Sequence, residues 1–174
     1  DEFVDGFIGL TKQYVVGNPL DPATTMGPMA QSRFADLVRE QKAEALRKGA
    51  TAHIGMKVEG DRPGSPYLAP EVLTGANHQM SVMREENFVP LVGIMKVRDD
   101  EEAVQLMNDS PYGLTASIWT TDIDRAAAIG DRIETGTVFM NRCDYIDPAL
   151  VWTGVKDTGK GGSMSFVGYE NLTR

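Results

Sequence analysis

The sequence is poor in the residues that mark several classes of site. Its 174 residues include one cysteine, Cys143, and two histidines. A single cysteine allows no internal disulfide, which favours a reducing, cytoplasmic setting. The few cysteine and histidine residues also lack the spacing of zinc ligands, so we expect no metal. No apolar run approaches the length of a membrane span, and the opening DEFVDGF lacks the features of a signal peptide.

Positive charge is scarce as well. The chain has 17 basic and 25 acidic residues, a net charge of −8, and its acids are scattered. Nucleic acids and anionic membranes are bound by patches of Lys and Arg, so we expect neither as a partner. With 41% hydrophobic and 24% charged residues, the composition is that of one globular domain over residues 1–174.

Hydrophobic spacing predicts an α/β fold. From residue 90 the pattern is strand, helix, strand, helix, strand, which is typical of a mostly parallel sheet with flanking helices. Ligands of such sheets gather beyond the carboxyl ends of the strands. The long loop after TVFMN, residues 141–162, leaves such an end and is therefore a candidate site.

The pattern also predicts individual helices and strands. DEFVDGFIGLTKQYVV is an amphipathic helix, TAHIGMKV a strand, and DIDRAAAIGDRIETG a helix capped by Asp122 or Asp124. SRFADLVREQKAEALRKGA is the clearest helix, with Ser32 as its cap and Gly49 at its end. We expect its apolar face to consist of Phe34, Leu37, Val38, Ala45 and Leu46.

One glycine-rich segment resembles a phosphate-binding loop. GVKDTGK, which ends at Lys160, matches the first seven positions of G-x-x-x-x-G-K-[ST], but Gly161 stands where Ser or Thr would hold magnesium. The segment before it contains a proline and is not a clear strand. A flexible loop is the favoured interpretation, and nucleotide triphosphate binding is the alternative.

Cys143 follows the strand TVFMN and lies next to Arg142, a neighbour that could lower a thiol pKa. A nucleophilic cysteine also needs a base or oxyanion donors, and nothing in the sequence places them. We therefore expect Cys143 to be a buried, inert residue. The two histidines, His53 and His78, are assigned structural roles.

The segment REENFVP places two adjacent carboxylates, Glu85 and Glu86, before a phenylalanine, a proline and a predicted buried strand. Acids at the end of a helical turn are usually solvated. At the mouth of a buried strand, however, a carboxylate can hold two vicinal hydroxyls while Phe88 packs on a ring. The residues alone leave both interpretations open.

Four stretches together resemble the NAD(P)-dependent aldehyde dehydrogenase superfamily, in the C-terminal part of its catalytic domain. They are VGNPLDPATTMGP, the E-E-x-F-x-P of REENFVP, NDSPYGLTASIWTTD and GTVFMNRCDYIDPALVWTGVKDTGKGG. The resemblance covers essentially the whole chain. It implies an aldehyde dehydrogenase catalytic-domain-like fold, a small-molecule aldehyde as substrate, NAD or NADP as cofactor, and a homo-oligomer in the intact enzyme.

The resemblance also assigns residues. Glu86 matches the family glutamate that binds the nicotinamide ribose, and Phe88 the phenylalanine beside the nicotinamide ring. The loop after the last strand of the sheet lines the family's aldehyde tunnel, which makes Asn141, Tyr145, Leu150 and Trp152 the expected substrate contacts. Val89 stands where the family usually has glycine, so we expect a reshaped turn beside the cofactor.

The family's nucleophilic cysteine, its general-base glutamate and its Rossmann domain match no part of this chain. Cys143 stands in the wrong place for the nucleophile, so no catalytic residue is assigned. The resemblance therefore implies a partial catalytic domain that is inactive alone. The alternative is a non-catalytic binding or assembly module built on the same fold.

Overall fold

The computed structural model describes residues 1–143 and 145–173. Its contacts group the chain into two compact units, Asp1–Lys96 and Val97–Arg174. The single domain over residues 1–174 stays a prediction, and each unit is described by itself. The α/β class is confirmed, because both units combine helices with a pair of parallel strands.

The first unit places three helices around a three-stranded sheet. Its elements are α1 (Glu2–Thr11), α2 (Ser32–Arg47), β1 (Thr51–Ala52), β2 (Glu71–Thr74), α3 (Ser81–Arg84) and β3 (Leu91–Ile94). The sheet order is β1-β2-β3; β1 is antiparallel to β2, and β2 is parallel to β3 in the register Glu71 to Leu91. This parallel pair places the segment before β3 next to the start of β2.

The core of the first unit lies between α2 and this sheet. Leu73, Met80 and Val72 are its largest fully buried side chains, and α2 contributes Ala35, Val38 and Ala45. These apolar contacts supply the main stabilisation of the unit. They also make α2 a rigid support for whatever binds to its side.

Two details of α2 differ from the prediction. Its N-cap is Gln31, which makes no side-chain capping bond, and Ser32 is the first helical residue. Phe34, Leu37 and Leu46 are about two-fifths exposed. Val38 and Ala45 are buried as predicted, but the buried face also contains Ala35 and the polar Gln41. Gly49 does follow the helix end, with a φ of 99° that favours glycine.

The strand predicted over TAHIGMKV extends only through Thr51–Ala52. The next two backbone N–H groups, of His53 and Ile54, donate to the Glu71 carboxylate at 3.0 and 2.8 Å. The His53 N–H also donates to the Val72 carbonyl at 3.1 Å, so the Glu71 carboxylate shares that donor and takes the Ile54 N–H, and the regular strand ends there.

The first helix forms but ends at Thr11, five residues before the predicted Val16, and its N-cap Asp1 accepts a hydrogen bond from the Val4 N–H at 3.2 Å. Its apolar face nevertheless stays open, because Phe3 and Leu10 are each 68% exposed. The helix is therefore amphipathic in sequence while much of its apolar side contacts solvent in the described chain.

The second unit contains two small two-stranded sheets and three helices. Its elements are α4 (Asp100–Asn108), β4 (Tyr112–Gly113), β5 (Thr115–Ile118), α5 (Ile123–Gly130), β6 (Thr137–Met140), β7 (Val155–Lys156) and α6 (Ser165–Thr173). Strands β5 and β6 are parallel with α5 between them in sequence, whereas β4 and β7 are antiparallel. Asp122 caps α5 by accepting from the Arg125 N–H at 2.9 Å, which confirms the first of its two predicted caps.

The glycine-rich segment lacks the geometry of a phosphate-binding loop. Val155 and Lys156 inside it form β7, and α6 begins only at Ser165. A phosphate-binding loop instead leads directly from the Lys into a helix N-terminus. The alternative of nucleotide triphosphate binding is therefore wrong for this segment.

No helix of the described residues is long and apolar enough to cross a membrane.

Candidate functional site

The E-E-x-F-x-P segment lies at the entry to β3 and beside α2. Glu85 closes α3 in an extended conformation, with φ −100° and ψ 138°. Glu86 and Phe88 line a cavity of about 590 Å³ whose other walls come from the loop before α2 and from α2 itself. This volume lies within the range of small-molecule sites.

The walls of this cavity are mostly apolar. Besides Glu86, Asn87, Phe88 and Val89, they comprise Pro28, Met29, Ala30, Phe34, Leu37 and Val38. Phe88 is 86% exposed, and Phe34 and Leu37 are about two-fifths exposed. Aromatic and aliphatic side chains left open around a cavity favour an organic ring as its occupant. The cavity lies wholly within the first unit.

The two adjacent glutamates differ in their partners. The Glu85 carboxylate accepts a hydrogen bond from Gln41 Nε2 at 3.4 Å. Within residues 1–143 and 145–173, no hydrogen bond or ion pair is found for the Glu86 carboxylate, whose residue is exposed. An unpaired carboxylate next to an apolar cavity can accept two hydroxyl hydrogen bonds, as a vicinal diol requires. This geometry fits the nicotinamide riboside end of NAD or NADP.

Val89 stands where the family motif usually has glycine, and the reshaped turn expected there stays a prediction. The described residues other than glycine that have a positive φ are Asn141, Lys156, Met164 and Ser165, so Val89 needs no glycine-like conformation. Its side chain packs against the buried core of the first unit. Valine here adds apolar contact at the base of the cavity.

Asn141 stands directly after β6, with a φ of 53° that asparagine tolerates better than most residues. Its side-chain amide makes two hydrogen bonds to the Thr120 backbone: Oδ1 accepts from the N–H and Nδ2 donates to the carbonyl, both at 2.9 Å. Its own N–H donates to the Ile118 carbonyl at 2.9 Å. Asn141 thus joins the ends of β5 and β6, and its substrate contact stays a prediction.

The predicted substrate loop is largely exposed. Tyr145 and Leu150 are 49% and 65% exposed, whereas Trp152 is half-buried. The Arg142 guanidinium stacks over the Tyr145 ring at 3.9 Å, and Trp152 exchanges two backbone hydrogen bonds with Ser163. These contacts fix both ends of the loop. The four predicted substrate residues do not line the cavity of about 410 Å³ between Pro148 and α6.

Cys143 and His53 both lie where a prediction from the sequence can be compared with the structure. Cys143 is exposed, so the expectation of a buried thiol is wrong, because the loop after β6 lies on the surface. His53 has a partner: its Nε2 lies 2.6 Å from Thr74 Oγ1, which agrees with a structural role. The described residues contain no group of three or more acidic, histidine or cysteine side chains placed to hold a metal ion.

Sequence reasoning missed two buried polar residues of the first unit, one of which, Gln41, lies at the site. Gln41 is 3% exposed and contacts both neighbours of Glu86. Glu71 is also 3% exposed and pairs with Lys42 at 2.6 Å. Burial alone would raise the pKa of Glu71, but the Lys42 ammonium and the N–H donors of Ile54 and His53 more than offset it and lower that pKa. Gln41 could have been found as the one polar residue on the buried face of α2.

Comparison with known proteins identifies the family. A sequence profile described as "Aldehyde dehydrogenase family" matches residues 1–174. The chain belongs to the aldehyde dehydrogenase family. It is 36% identical over 175 residues to a succinate-semialdehyde dehydrogenase [NADP(+)] of Deinococcus radiodurans, an alignment that covers 99% of the chain and 36% of that relative.

Solved structures of aldehyde dehydrogenases also match the fold of this chain. The fold matches a succinic semialdehyde dehydrogenase from Streptococcus pyogenes in complex with NADP+, with a TM-score of 0.84, 32% identity, and coverage of 97% of this chain and 38% of that one. It also matches betaine aldehyde dehydrogenase from Staphylococcus aureus in complex with NAD+, with a TM-score of 0.87, 28% identity, and coverage of 98% and 34%. The chain thus spans a little over one third of the relatives it matches.

Proposed function

We propose that the chain is part of an oxidoreductase that oxidises an aldehyde to a carboxylic acid with NAD or NADP. Within that enzyme it supplies the nicotinamide-ribose clamp, Glu86 and Phe88, and part of the substrate tunnel from Asn141, Tyr145, Leu150 and Trp152. When bound, NAD or NADP accepts the hydride released from the aldehyde. The observation that carries this proposal is the unpaired Glu86 carboxylate at the edge of an apolar cavity.

The chain's residues have separate tasks in this proposal. The Glu86 carboxylate accepts hydrogen bonds from the two ribose hydroxyls and so fixes the sugar. The Phe88 phenyl ring, open to solvent in the described chain, packs on the nicotinamide side and excludes water from it. Both tasks orient the cofactor; neither moves a proton.

The wider setting is proposed on the same basis. The complete enzyme is cytoplasmic, which the single free cysteine supports, and forms a homo-oligomer. Its partner is a small-molecule aldehyde. The net charge of −8 argues against nucleic acid or an anionic membrane surface as a partner.

The chain alone is expected to form no reduced cofactor, because the family's nucleophile and general base match none of its residues. A spectrophotometric assay with NAD, NADP and a panel of aldehydes tests this on the folded chain, before and after alkylation of Cys143. Absence of turnover is the expected result. Turnover abolished by alkylation would contradict it and make Cys143 a nucleophile.

The clamp is tested in the complete open reading frame that contains this chain. Glu86→Gln should raise the cofactor KM about tenfold or more, since a carboxylate that accepts two hydroxyl bonds is lost. Glu40→Gln, an exposed glutamate of α2, is the matched control. An unchanged KM in Glu86→Gln would contradict the clamp.

A second candidate is a non-catalytic assembly module, which the exposed apolar faces favour. Phe3 and Leu10 of α1, and Phe166, Tyr169 and Leu172 of α6, are each about two-thirds exposed or more. Such surfaces commonly mark interaction sites. Sequencing the gene upstream of Asp1 distinguishes the candidates: an in-frame cysteine motif favours the enzyme, and a start codon close to Asp1 favours the module.

A further inference from the structure

The helix α2 carries a buried polar residue whose contacts lie entirely at the candidate clamp. Gln41 is 3% exposed. Its Nε2 donates to Glu85 Oε2 at 3.4 Å, and its Oε1 accepts from Asn87 Nδ2 at 3.1 Å. Both polar atoms of the Gln41 side-chain amide are therefore hydrogen-bonded, one to each of the two residues that flank Glu86.

The two partners of Gln41, Glu85 and Asn87, are separated by one residue, and this spacing affects the direction of the Glu86 side chain. In an extended chain, alternate side chains point to opposite sides. Glu85 has extended dihedral angles. Glu85 and Asn87 both hydrogen-bond Gln41; Asn87 is partly buried, whereas Glu85, Glu86 and Phe88 are exposed. Holding the residues on either side of Glu86 thus directs the Glu86 side chain to the cavity that it lines beside α2.

The support for Gln41 is rigid. Its neighbours on the same helix face, Val38 and Ala45, are 3% and 0% exposed and belong to the core. A buried amide that lost its partners would pay a desolvation penalty, so the two bonds resist opening. The segment that joins α3 to β3 contains no helix or strand hydrogen bonds of its own between residues 86 and 89. The Gln41 tether, formed by these two hydrogen bonds, and the packing of Val89 against the core are therefore the contacts that hold this segment.

We propose that Gln41 is the positioning residue of the cofactor clamp: by binding Glu85 and Asn87 it fixes the direction in which Glu86 and Phe88 are presented to the nicotinamide ribose. This inference rests on the proposed function, since it takes the Glu86 site to be the cofactor site. It adds a residue that does not itself touch the cofactor. It also explains the division of work between two adjacent glutamates, Glu85 for the tether and Glu86 for the ligand.

The test uses the complete 174-residue chain and nicotinamide mononucleotide as the probe, with dissociation constants measured by NMR titration. Gln41→Leu keeps the volume of the side chain and removes both bonds. Glu85→Gln and Glu86→Gln make the same change at adjacent positions: the first keeps an acceptor oxygen for Gln41, and the second removes the ligand carboxylate. Circular dichroism fixes a temperature at which every variant is folded.

The expected result is that Gln41→Leu binds the probe about fivefold to tenfold more weakly, the effect of losing a hydrogen-bonded constraint. Glu85→Gln should bind within about twofold of the original chain, and Glu86→Gln should lose most of the binding. Without ligand, hydrogen exchange of residues 84–88 should be faster in Gln41→Leu. A role confined to stability would change the unfolding midpoint and leave the binding of folded protein unaltered.

Two results would contradict different parts of the account. If the original chain binds the probe and Gln41→Leu binds equally well, the positioning role is overturned while the clamp stands. If the folded original chain does not bind the probe and Glu86→Gln leaves the cofactor KM of the complete enzyme unchanged, the proposed clamp itself is overturned. The ligand-free exchange then still tests the tether, because unchanged exchange at residues 84–88 in Gln41→Leu would show that Gln41 does not hold the segment.

Discussion

The two candidate segments differ in how they are held. Glu86 and Phe88 in the first unit are flanked by residues bound to a buried side chain of α2, and that helix is part of a continuous apolar core. In the second unit, the loop after β6 is held by side-chain and backbone hydrogen bonds of Asn141, by backbone hydrogen bonds of Trp152 and by an exposed stack of Arg142 on Tyr145. A site for a constant group, such as a cofactor, benefits from the first arrangement. A loop that lines a substrate tunnel can vary more freely in the second.

The apolar cores of the two units also differ, and the first unit again has the more extensive buried contacts. Among the residues that the structure describes, Val104 and Ala126 are the only buried apolar side chains of the second unit, whereas the first unit has a continuous cluster around Leu73 and Met80. Apolar burial is the main source of stability. Substitutions that remove it should therefore cost more in the first unit.

The largest expected effect is the truncation of a core leucine. Leu73→Ala, at a side chain that is 0% exposed, should lower the free energy of unfolding by about 3 kcal/mol. Leu114→Ala in the second unit, at a side chain 38% exposed, should cost about 1 kcal/mol. Urea unfolding followed by circular dichroism measures both. Equal losses of unfolding free energy in the two variants would contradict the expected difference between the units.

Next comes the buried carboxylate of β2. Glu71→Ala removes the acceptor of the Ile54 N–H, one of the two acceptors of the His53 N–H, and the ion-pair partner of Lys42, so it should cost about 2 to 3 kcal/mol. Lys42→Met, at a more exposed partner, should cost less than Glu71→Ala. The reverse order would show that the backbone donors contribute little.

Glu71 also predicts a pH dependence. Its pKa is lowered in the folded chain, so its contribution to stability is complete above the ordinary pKa of a glutamate. That contribution is lost as the pH falls through the lower folded pKa. Glu71→Gln should therefore flatten the acid side of the stability curve of the first unit. Identical slopes for the original chain and this variant would contradict the assignment.

A smaller effect is expected in the second unit at Gly136. A Cβ added there would lie 1.7 Å from the Thr153 carbonyl oxygen, so Gly136→Ala should displace the chain near Trp152 and cost about 1 to 2 kcal/mol. Gly9→Ala is the matched control, since nothing lies within 4 Å of its added Cβ, and it should be neutral or stabilising by about 0.5 kcal/mol. Tryptophan fluorescence reports the unfolding, because Trp119 and Trp152 both belong to the second unit. An unchanged transition in Gly136→Ala would show that the carbonyl can move away freely.

Local patterns predicted most of the helices and the α/β class. Asp122 was found because a cap acts within four residues of chain. The strand after α2 was predicted too long, because the carboxylate that ends it comes from Glu71, 18 residues further along than His53. Gln41 was missed for the same reason: its partners are 44 and 46 residues away. Contacts that join distant segments leave no periodic signal, apart from a polar residue within an apolar face.

The roles of Glu86 and Phe88 came from the resemblance, since two acids before an apolar strand are equally compatible with a solvated helix end. The structure contributes the distinction between the two acids, because Glu85 has a partner on α2 and Glu86 faces a cavity. No pattern in the sequence separates two adjacent glutamates in this way.

The most direct test of the central claim is an NMR titration of the ¹⁵N-labelled chain with NAD and with NADP. The account predicts that the shift changes centre on residues 86–89 and on the side of α2 that includes Phe34 and Leu37, and that Glu86→Gln abolishes them. A folded chain whose changes fall elsewhere, or whose changes survive Glu86→Gln, would contradict the claim that this cavity holds the nicotinamide ribose.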